Sequence, residues 1–263
     1  MSGLPLATPE LVRRLELAAV EATLEWVEGL ADVRVERFGD GYAAVNPALP
    51  EVDFMNTVMG LSPGDAGQVE AIAARYAADD VHPWFELAPA DDAQPLYEAL
   101  VGIGGRLIGF YTVLYGRPER HDPGTRIRAA RPDEAQAFGE VLLRGHGAPE
   151  DAEVRHVVRW AELPGMEMFV AEVDGRLAAA GALAVASGIG YLASASTLPE
   201  FRGRGLQRGL ILARVDAAAR AGCELVSSQA AFASGSQRNL QRAGLQIAYT
   251  KTVWRVGGDG GGP

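Results

Sequence analysis

Cysteine is nearly missing from this chain: Cys223 is the only one in 263 residues. A lone thiol rules out an intrachain disulfide, so nothing ties the protein to an oxidising compartment. Histidine is scarce as well. His82, His121, His146 and His156 show neither HExxH nor His-x3-His spacing, so no metal cluster is expected. Positive charge is in deficit, with 24 Lys and Arg against 34 Asp and Glu and a net charge of -10. Holding a phosphate backbone needs a basic face, so nucleic acid is a poor partner and a cationic substrate, such as an amine, a better one. No apolar run approaches the ~18 residues of a membrane span. The opening MSGLPLATPELVRRLELAAVEATL lacks a basic segment leading into an unbroken apolar block. The expected setting is cytoplasmic, without membrane partners. The tail 257–263, GGDGGGP, can bury nothing and is expected to be disordered.

What remains is ordinary globular composition, 48% hydrophobic and 22% charged, long enough for one or two domains. Thr8-Pro9 suits the cap and first turn of a helix over 8–30. Strand-like runs follow at 33–38, 41–46 and 54–61, an amphipathic helix at 68–78, a short strand at 85–88, a short helix at 95–103 and an apolar strand at 107–115. The segment GRPERHDPGT, 116–125, has the prolines, glycines and charges of a linker. A second series then reads strand 126–130, helix 132–143, helix 151–161, strands 169–173 and 177–185 joined by Asp174-Gly175, strand 189–197, helix, strand 225–228, helix 236–243 and strand 245–256. Domains are expected at 1–120 and 125–256. The fold class is α/β of the α+β type, a mixed and largely antiparallel sheet flanked by helices.

The stretch STLPEFRGRGLQRGLILARVDAAARAG, 196–222, carries the chemistry. A strand end turns at Pro199, passes Arg202-Gly203-Arg204-Gly205 and becomes a helix striped with Leu206, Leu210, Ala213 and Ala217. The first turn of a helix has free N–H groups and the positive end of the macrodipole, which bind phosphate. Glycines let an anion approach the backbone, and Arg202, Arg204 and Arg208 add charge-assisted donors. The spacing Gly203, Gly205, Gly209 is GxGxxxG rather than the dinucleotide-binding GxGxxG. No Gly-Lys pair exists for a P-loop.

The stretch resembles motif A, [QR]xxGx[GA], of the GNAT superfamily, the Gcn5-related N-acetyltransferases. Arg202-Gly203-Arg204-Gly205-Leu206-Gln207 departs from it only at the last position, where Gln207 replaces Gly or Ala. SGSQRNLQRAGLQIAYTKTVW resembles the family's motif B, ending in Gly244-Leu245 instead of Gly-Phe. The resemblance spans roughly 126–256. It implies the acyl-CoA N-acyltransferase fold, with two GNAT-like halves of which the first, lacking the motif, is degenerate and walls the acceptor cleft; the alternative for residues 1–120 is a distinct α/β cap domain. Trp84, Phe85, Tyr111 and Tyr115 are then either lining or core. It implies acetyl-CoA as co-substrate, with the pyrophosphate on the amides of Gly203, Arg204, Gly205, Leu206, Gln207 and Arg208. The pantetheine would run along Thr197 and Leu198, where the 189–197 and 225–228 strands part, with Ser236 and Asn239 beside it. It implies transfer to a small or peptidyl primary amine by direct attack. The oligomeric state, a homodimer included, stays open.

The family's thiolate-protonating tyrosine falls on Leu240, and the 189–197 strand has no acid. Tyr249 or Tyr191 is the substitute acid, each equally readable as a packed aromatic. Glu172 and His146 are candidate bases, against plain readings as an exposed strand residue and a solvated loop histidine. Cys223 reads as core. The missing tyrosine leaves an alternative, a non-catalytic acyl-CoA sensor.

Overall fold

A computed structural model describes residues 4–28, 32–50, 55–124, 126–147 and 154–258. The chain divides into two compact units. The first comprises Met1–Val113, Gln229–Gln237 and Ile247–Pro263, the second Leu114–Ser228 and Arg238–Gln246.

In the first unit, α1 (Pro9–Val27) starts where the Thr8 hydroxyl accepts from Leu11 N at 3.3 Å. Its buried face is Leu11, Leu15, Ala18, Ala22 and Trp26, the helical spacing visible in the sequence. It leads into β1 (Arg34–Phe38), β2 (Gly41–Val45) and β3 (Thr57–Met59), paired antiparallel in turn. After a 3-10 turn (Pro63–Gln68) and α2 (Val69–Ala77), β4 (Trp84–Leu87) pairs parallel to β3. Then come α3 (Gln94–Gly102) and β5 (Arg106–Gly116), which enters the second unit at Leu114. Phe85, at 0% exposure, sits in the core with Val58, Ile72, Tyr76 and Leu96, and Trp84 is buried as well. Neither is among the residues lining the cavity at the ends of β3 and β4.

The second unit repeats the order behind one extra strand. The chain continues through β6 (Ile127–Ala129), α4 (Ala135–Gly145), α5 (Arg155–Val158), β7 (Met166–Val173), β8 (Arg176–Ala186), β9 (Ile189–Thr197), α6 (Leu206–Arg220), β10 (Leu225–Ala231), α7 (Gly235–Arg242) and β11 (Gln246–Arg255), of which the end of β10, the start of α7 and nearly all of β11 fall in the first unit. β6 to β9 pair antiparallel in sequence, and β10 pairs parallel to β9. The alanine-rich β8 is buried almost throughout, and its small side chains let α4 and α6 both pack on it. The expected helix 151–161 is shorter. Residues 151–153 lie outside the described set, and α5 passes at Arg159 into a 3-10 turn. The linker folds onto α6: Arg120 Nε and His121 N both donate to Asp216 Oδ1, at 2.7 and 3.1 Å.

The largest departure from the expected 1–120 and 125–256 division is β11. Most of it belongs to the first unit, where it pairs antiparallel with β4, Arg255 opposite Trp84 and Thr252 opposite Leu87. The first unit's strand order is thus β1-β2-β3-β4-β11-β5, and the second's is β10-β9-β8-β7-β6. β11 brings Lys251, the chain's single lysine, to a site of 0% side-chain exposure. Its ammonium meets Glu16 Oε2 at 2.9 Å, Glu86 Oε2 at 3.2 Å and Gln229 Oε1 at 3.2 Å. Burial alone would push its pKa down. Glu16, and then Glu86, more than offset that and hold it above its ordinary value. Of the expected disordered tail, residues 259–263 lie outside the described set. Gly257 and Gly258 instead pass against the His82 ring.

Candidate active site

The pairing of β9 with β10 covers only Ile189 to Tyr191 against Leu225 to Ser227. β9 continues to Thr197, so its recorded pairing with β10 stops at Tyr191. The first group past that point is Ser228, whose hydroxyl donates to Leu192 O at 2.9 Å.

β9 owes its course to an irregular ladder. Gly181 pairs with Ala195, then the register jumps to Leu183 with Leu192. Such a bulge frees carbonyls that would otherwise accept from the neighbouring strand. Arg214 of α6 takes them up. Its Nη1 donates to Ala182 O at 3.2 Å and Ala193 O at 2.6 Å, and its Nε to Leu210 O at 3.0 Å. The side chain is 2% exposed, and its partners are carbonyls, with no carboxylate among them. Burial pushes the guanidinium down to about 9, still charged near neutrality. Sequence reasoning passed it over, because a lone arginine in a helix usually points at solvent.

β9 ends in the motif turn. A 3-10 turn covers Pro199–Phe201, and α6 begins at Leu206 with Gly205 as its cap, at φ 77° and without a side-chain cap. Gly203 has φ 77° too, and neither glycine would put a Cβ within 4 Å of another group. An L-residue would strain at both positions. Among the described residues, the start of α6 is thus left unobstructed at both glycines. Beside it lies a cavity of about 250 Å³ lined by Arg126, Arg204, Gly205 and Leu206, with Pro123 and Ile127 behind. Arg126 is a basic group the sequence reading missed, since it stands outside the motif. This cradle fits a coenzyme A diphosphate: positive helix end, positive-φ glycines and exposed arginines around an unfilled space.

The arginines divide their roles. Arg202 Nη2 donates to Gly145 O at 3.1 Å and its Nε to Thr197 O at 3.2 Å, so it clamps the end of α4 to the end of β9. Arg204 lies over the Phe201 ring at 5.1–5.2 Å, as does Arg176, while Arg208 is exposed. Gln207 Oε1 lies 3.4 Å from the Thr197 hydroxyl. Leu198 is buried, and its N–H donates to Ala178 O at 3.0 Å. It is therefore engaged with β8.

Of the three catalytic candidates, His146 stands beside the end of β9. His146 follows Gly145, which packs so closely that a Cβ would fall 2.2 Å from Ser196 Oγ and 3.2 Å from Thr197 N. Its imidazole keeps solvent contact, yet desolvation, and second the Arg202 charge, hold its pKa below the ordinary 6.5. It is neutral at pH 7 and able to take a proton. Glu172 is instead paired with Arg128 at 3.1 Å, and β7 stands two strands from β9, about 10 Å away. Tyr249 lies in the first unit, where its hydroxyl donates to Glu16. Tyr191 is buried six residues before Thr197, roughly 20 Å back along the strand. Asn239 and Ser236 lie on α7, Asn239 in the second unit and exposed Ser236 in the first. Leu240 is 3% exposed, and Cys223 is buried with its thiol pushed up by desolvation.

Residues 134–243 match the acetyltransferase (GNAT) family model. The chain carries a GNAT acetyltransferase domain. A search of curated proteins finds no match. Solved structures resemble nearly the whole length. A GCN5-related N-acetyltransferase from Kribbella flavida is 18% identical, with 95% of this chain and 96% of that one covered and a TM-score of 0.65. A GCN5-related N-acetyltransferase from Sphaerobacter thermophilus is 14% identical, with 94% and 93% covered and a TM-score of 0.58. A tandem GNAT protein from the clavulanic acid biosynthesis pathway is 17% identical, with 97% and 98% covered and a TM-score of 0.56. These likenesses show the acyl-CoA N-acyltransferase fold, tandem forms included. The GNAT domain makes acyl transfer the chemistry of this chain. Among the described residues no group of three His, Cys, Asp or Glu forms a metal site, and no helix is long and apolar enough to cross a membrane.

Proposed function

We propose that the second unit transfers an acetyl group from acetyl-CoA to a primary amine by direct attack on the thioester. The open glycine turn at the start of α6 carries this reading, because it offers a helix start and charge to a diphosphate where no described residue lies within 4 Å of a Cβ at Gly203 or Gly205. The diphosphate rests on the amides of Gly203 to Arg208, and the thioester arm follows the end of β9, where its pairing with β10 has stopped. The amine nitrogen bonds to the carbonyl carbon, the C–S bond breaks, and coenzyme A leaves as a thiolate. An alkylamine of pKa ~10.4 is mostly protonated at pH 7, a handicap of ~4.6 kcal/mol. His146, neutral at that pH, takes the proton directly or through water. With Leu240 in the tyrosine position, the thiolate takes its proton from solvent, which its pKa of ~8.5 permits.

The test is free-thiol release from acetyl-CoA over a panel of primary amines, with calorimetry of coenzyme A binding. Gly205→Glu puts a carboxylate into the cradle and is expected to abolish binding. Gly205→Ala shares the backbone strain without the charge and is expected to weaken binding only partly. Binding unchanged in Gly205→Glu overturns the reading. Binding without thiol release on any amine favours the sensor, for which buried, apolar Leu240 is the supporting observation.

A further inference from the structure

The first unit has a cavity of its own, of about 260 Å³. It opens where β3 and β4 end, with one wall supplied by α1. Val12, Leu17, Val20, Leu61, Pro63 and Pro89 make it largely apolar. Its charged lining is Arg13, Glu16, Asp40 and Asp91. Arg13 already pairs with Asp40 at 3.0 Å, so the positive charge on the wall is spent.

Glu16 is the informative group. It is 8% exposed and lines the cavity from α1. One carboxylate oxygen accepts from Tyr249 and the other from Lys251. Each oxygen has a second lone pair, and both are held in place by buried partners. Behind Glu16, the one ammonium is shared by two carboxylates, Glu16 and Glu86, which leaves formal negative charge next to an apolar space. An anion is disfavoured there, a neutral apolar molecule leaves the excess negative charge uncompensated, and a cation with a short apolar body satisfies both features.

We propose that this cavity binds a small primary amine, its ammonium on Glu16 and its hydrocarbon against Val12, Leu17, Val20 and Leu61. The site is separate from the acyl-CoA cradle and does not depend on the acyltransferase reading. A phosphate-bearing ligand is excluded, because Asp65 points its carboxylate at Ser62 N and Oγ, at 2.9 and 2.6 Å, on the turn bordering the cavity.

The experiment titrates the full chain at pH 7 with n-hexylamine, 1-hexanol and hexanoate by calorimetry, alongside coenzyme A. Hexylamine is expected to bind at least tenfold more tightly than hexanol, and hexanoate not at all. Leu17→Trp, a half-buried position, fills the cavity. It is expected to weaken hexylamine at least tenfold while leaving the melting temperature and coenzyme A affinity in place. Glu16→Gln is expected to remove the preference for amine over alcohol, and if that variant does not fold, Leu17→Trp decides. Equal affinity for amine and alcohol overturns the proposal, as does absence of binding. Hexylamine binding unchanged in Leu17→Trp also overturns it, since the amine is then held elsewhere. Failure of the acyltransferase reading shows separately, in coenzyme A affinity and thiol release.

Discussion

The two units build the same passage with opposite outcomes. Each runs two antiparallel strands, a turn, a helix and a strand returning parallel: β2, β3, α2, β4 in one and β8, β9, α6, β10 in the other. In each, the helix sends one buried polar side chain to strand carbonyls, where the ladder ends in the first unit and where it shifts register in the second. Tyr76 lies 2.7 Å from Ala44 O and 3.1 Å from Thr57 O, just past the last β2–β3 pair. Arg214 does the same for Ala182 and Ala193. The turns differ. In the second unit Gly203 and Gly205 hold it open. In the first, Asp65 forms a capping box with Ser62, and Gln68 donates to its other oxygen at 2.9 Å. A carboxylate at the helix start does for the amides what a phosphate would do, and it repels a phosphate by ~4 kcal/mol per unit charge at 4 Å and an effective dielectric of 20. Topology can be repeated while one turn residue decides whether an anion enters.

The largest expected effect breaks that comparison at the turns. Gly205→Glu is expected to weaken coenzyme A more than 100-fold by calorimetry. Asp65→Ala in the first unit is expected to leave that affinity alone and cost about 1 kcal/mol in urea unfolding through the lost cap. Next come the two helix-to-sheet contacts. Arg214→Met strands carbonyls beside β9 and is expected to cost about 2–4 kcal/mol and lower thiol release. Tyr76→Phe strands two carbonyls in the first unit and is expected to cost about 1–3 kcal/mol, with thiol release unchanged. His146→Gln is expected to lower kcat by about 10²-fold. In the wild type, kcat falls as pH drops below the depressed His146 pKa, because the base becomes charged. The variant is expected to lose that limb, and a limb that persists assigns the proton to another group.

The smallest effect concerns Glu134, held at about 2 rather than the ordinary 4.5. Arg128 bonds it at 2.7 and 2.8 Å and outweighs the cost of burial, helped by Arg131 N at 2.7 Å. Its folded pKa is depressed, so its contribution is full above pH 4.5 and is lost as pH falls from there towards 2. The acid slope of stability in that window is expected to be shallower in Glu134→Gln.

Much of this was legible before any coordinates. Thr8-Pro9 opened a helix, Asp174-Gly175 turned a hairpin with Asp174 at φ 51° and Gly175 at φ 75°, and 189–197 was read with its observed ends. The motif at Arg202 to Arg208 was readable because turn glycines and a following apolar stripe are local signals. Catalytic candidates were not. Glu172 and Tyr249 had suitable chemistry, but the ion pair with Arg128 and the bond to Glu16 join residues 44 and 233 positions apart. Composition cannot foresee such partners.

The chain's order of helices and strands, its open glycine turn and its acyltransferase family were determined by the sequence itself, since they rest on periodicity and backbone preference within a few residues. Tertiary structure alone decided that β11 pairs with β4, that the single lysine is buried between two carboxylates, and that Arg214 turns inward. These are pairings across long stretches of chain, and they are settled by which buried charge and carbonyl must find a partner once the strands have come together.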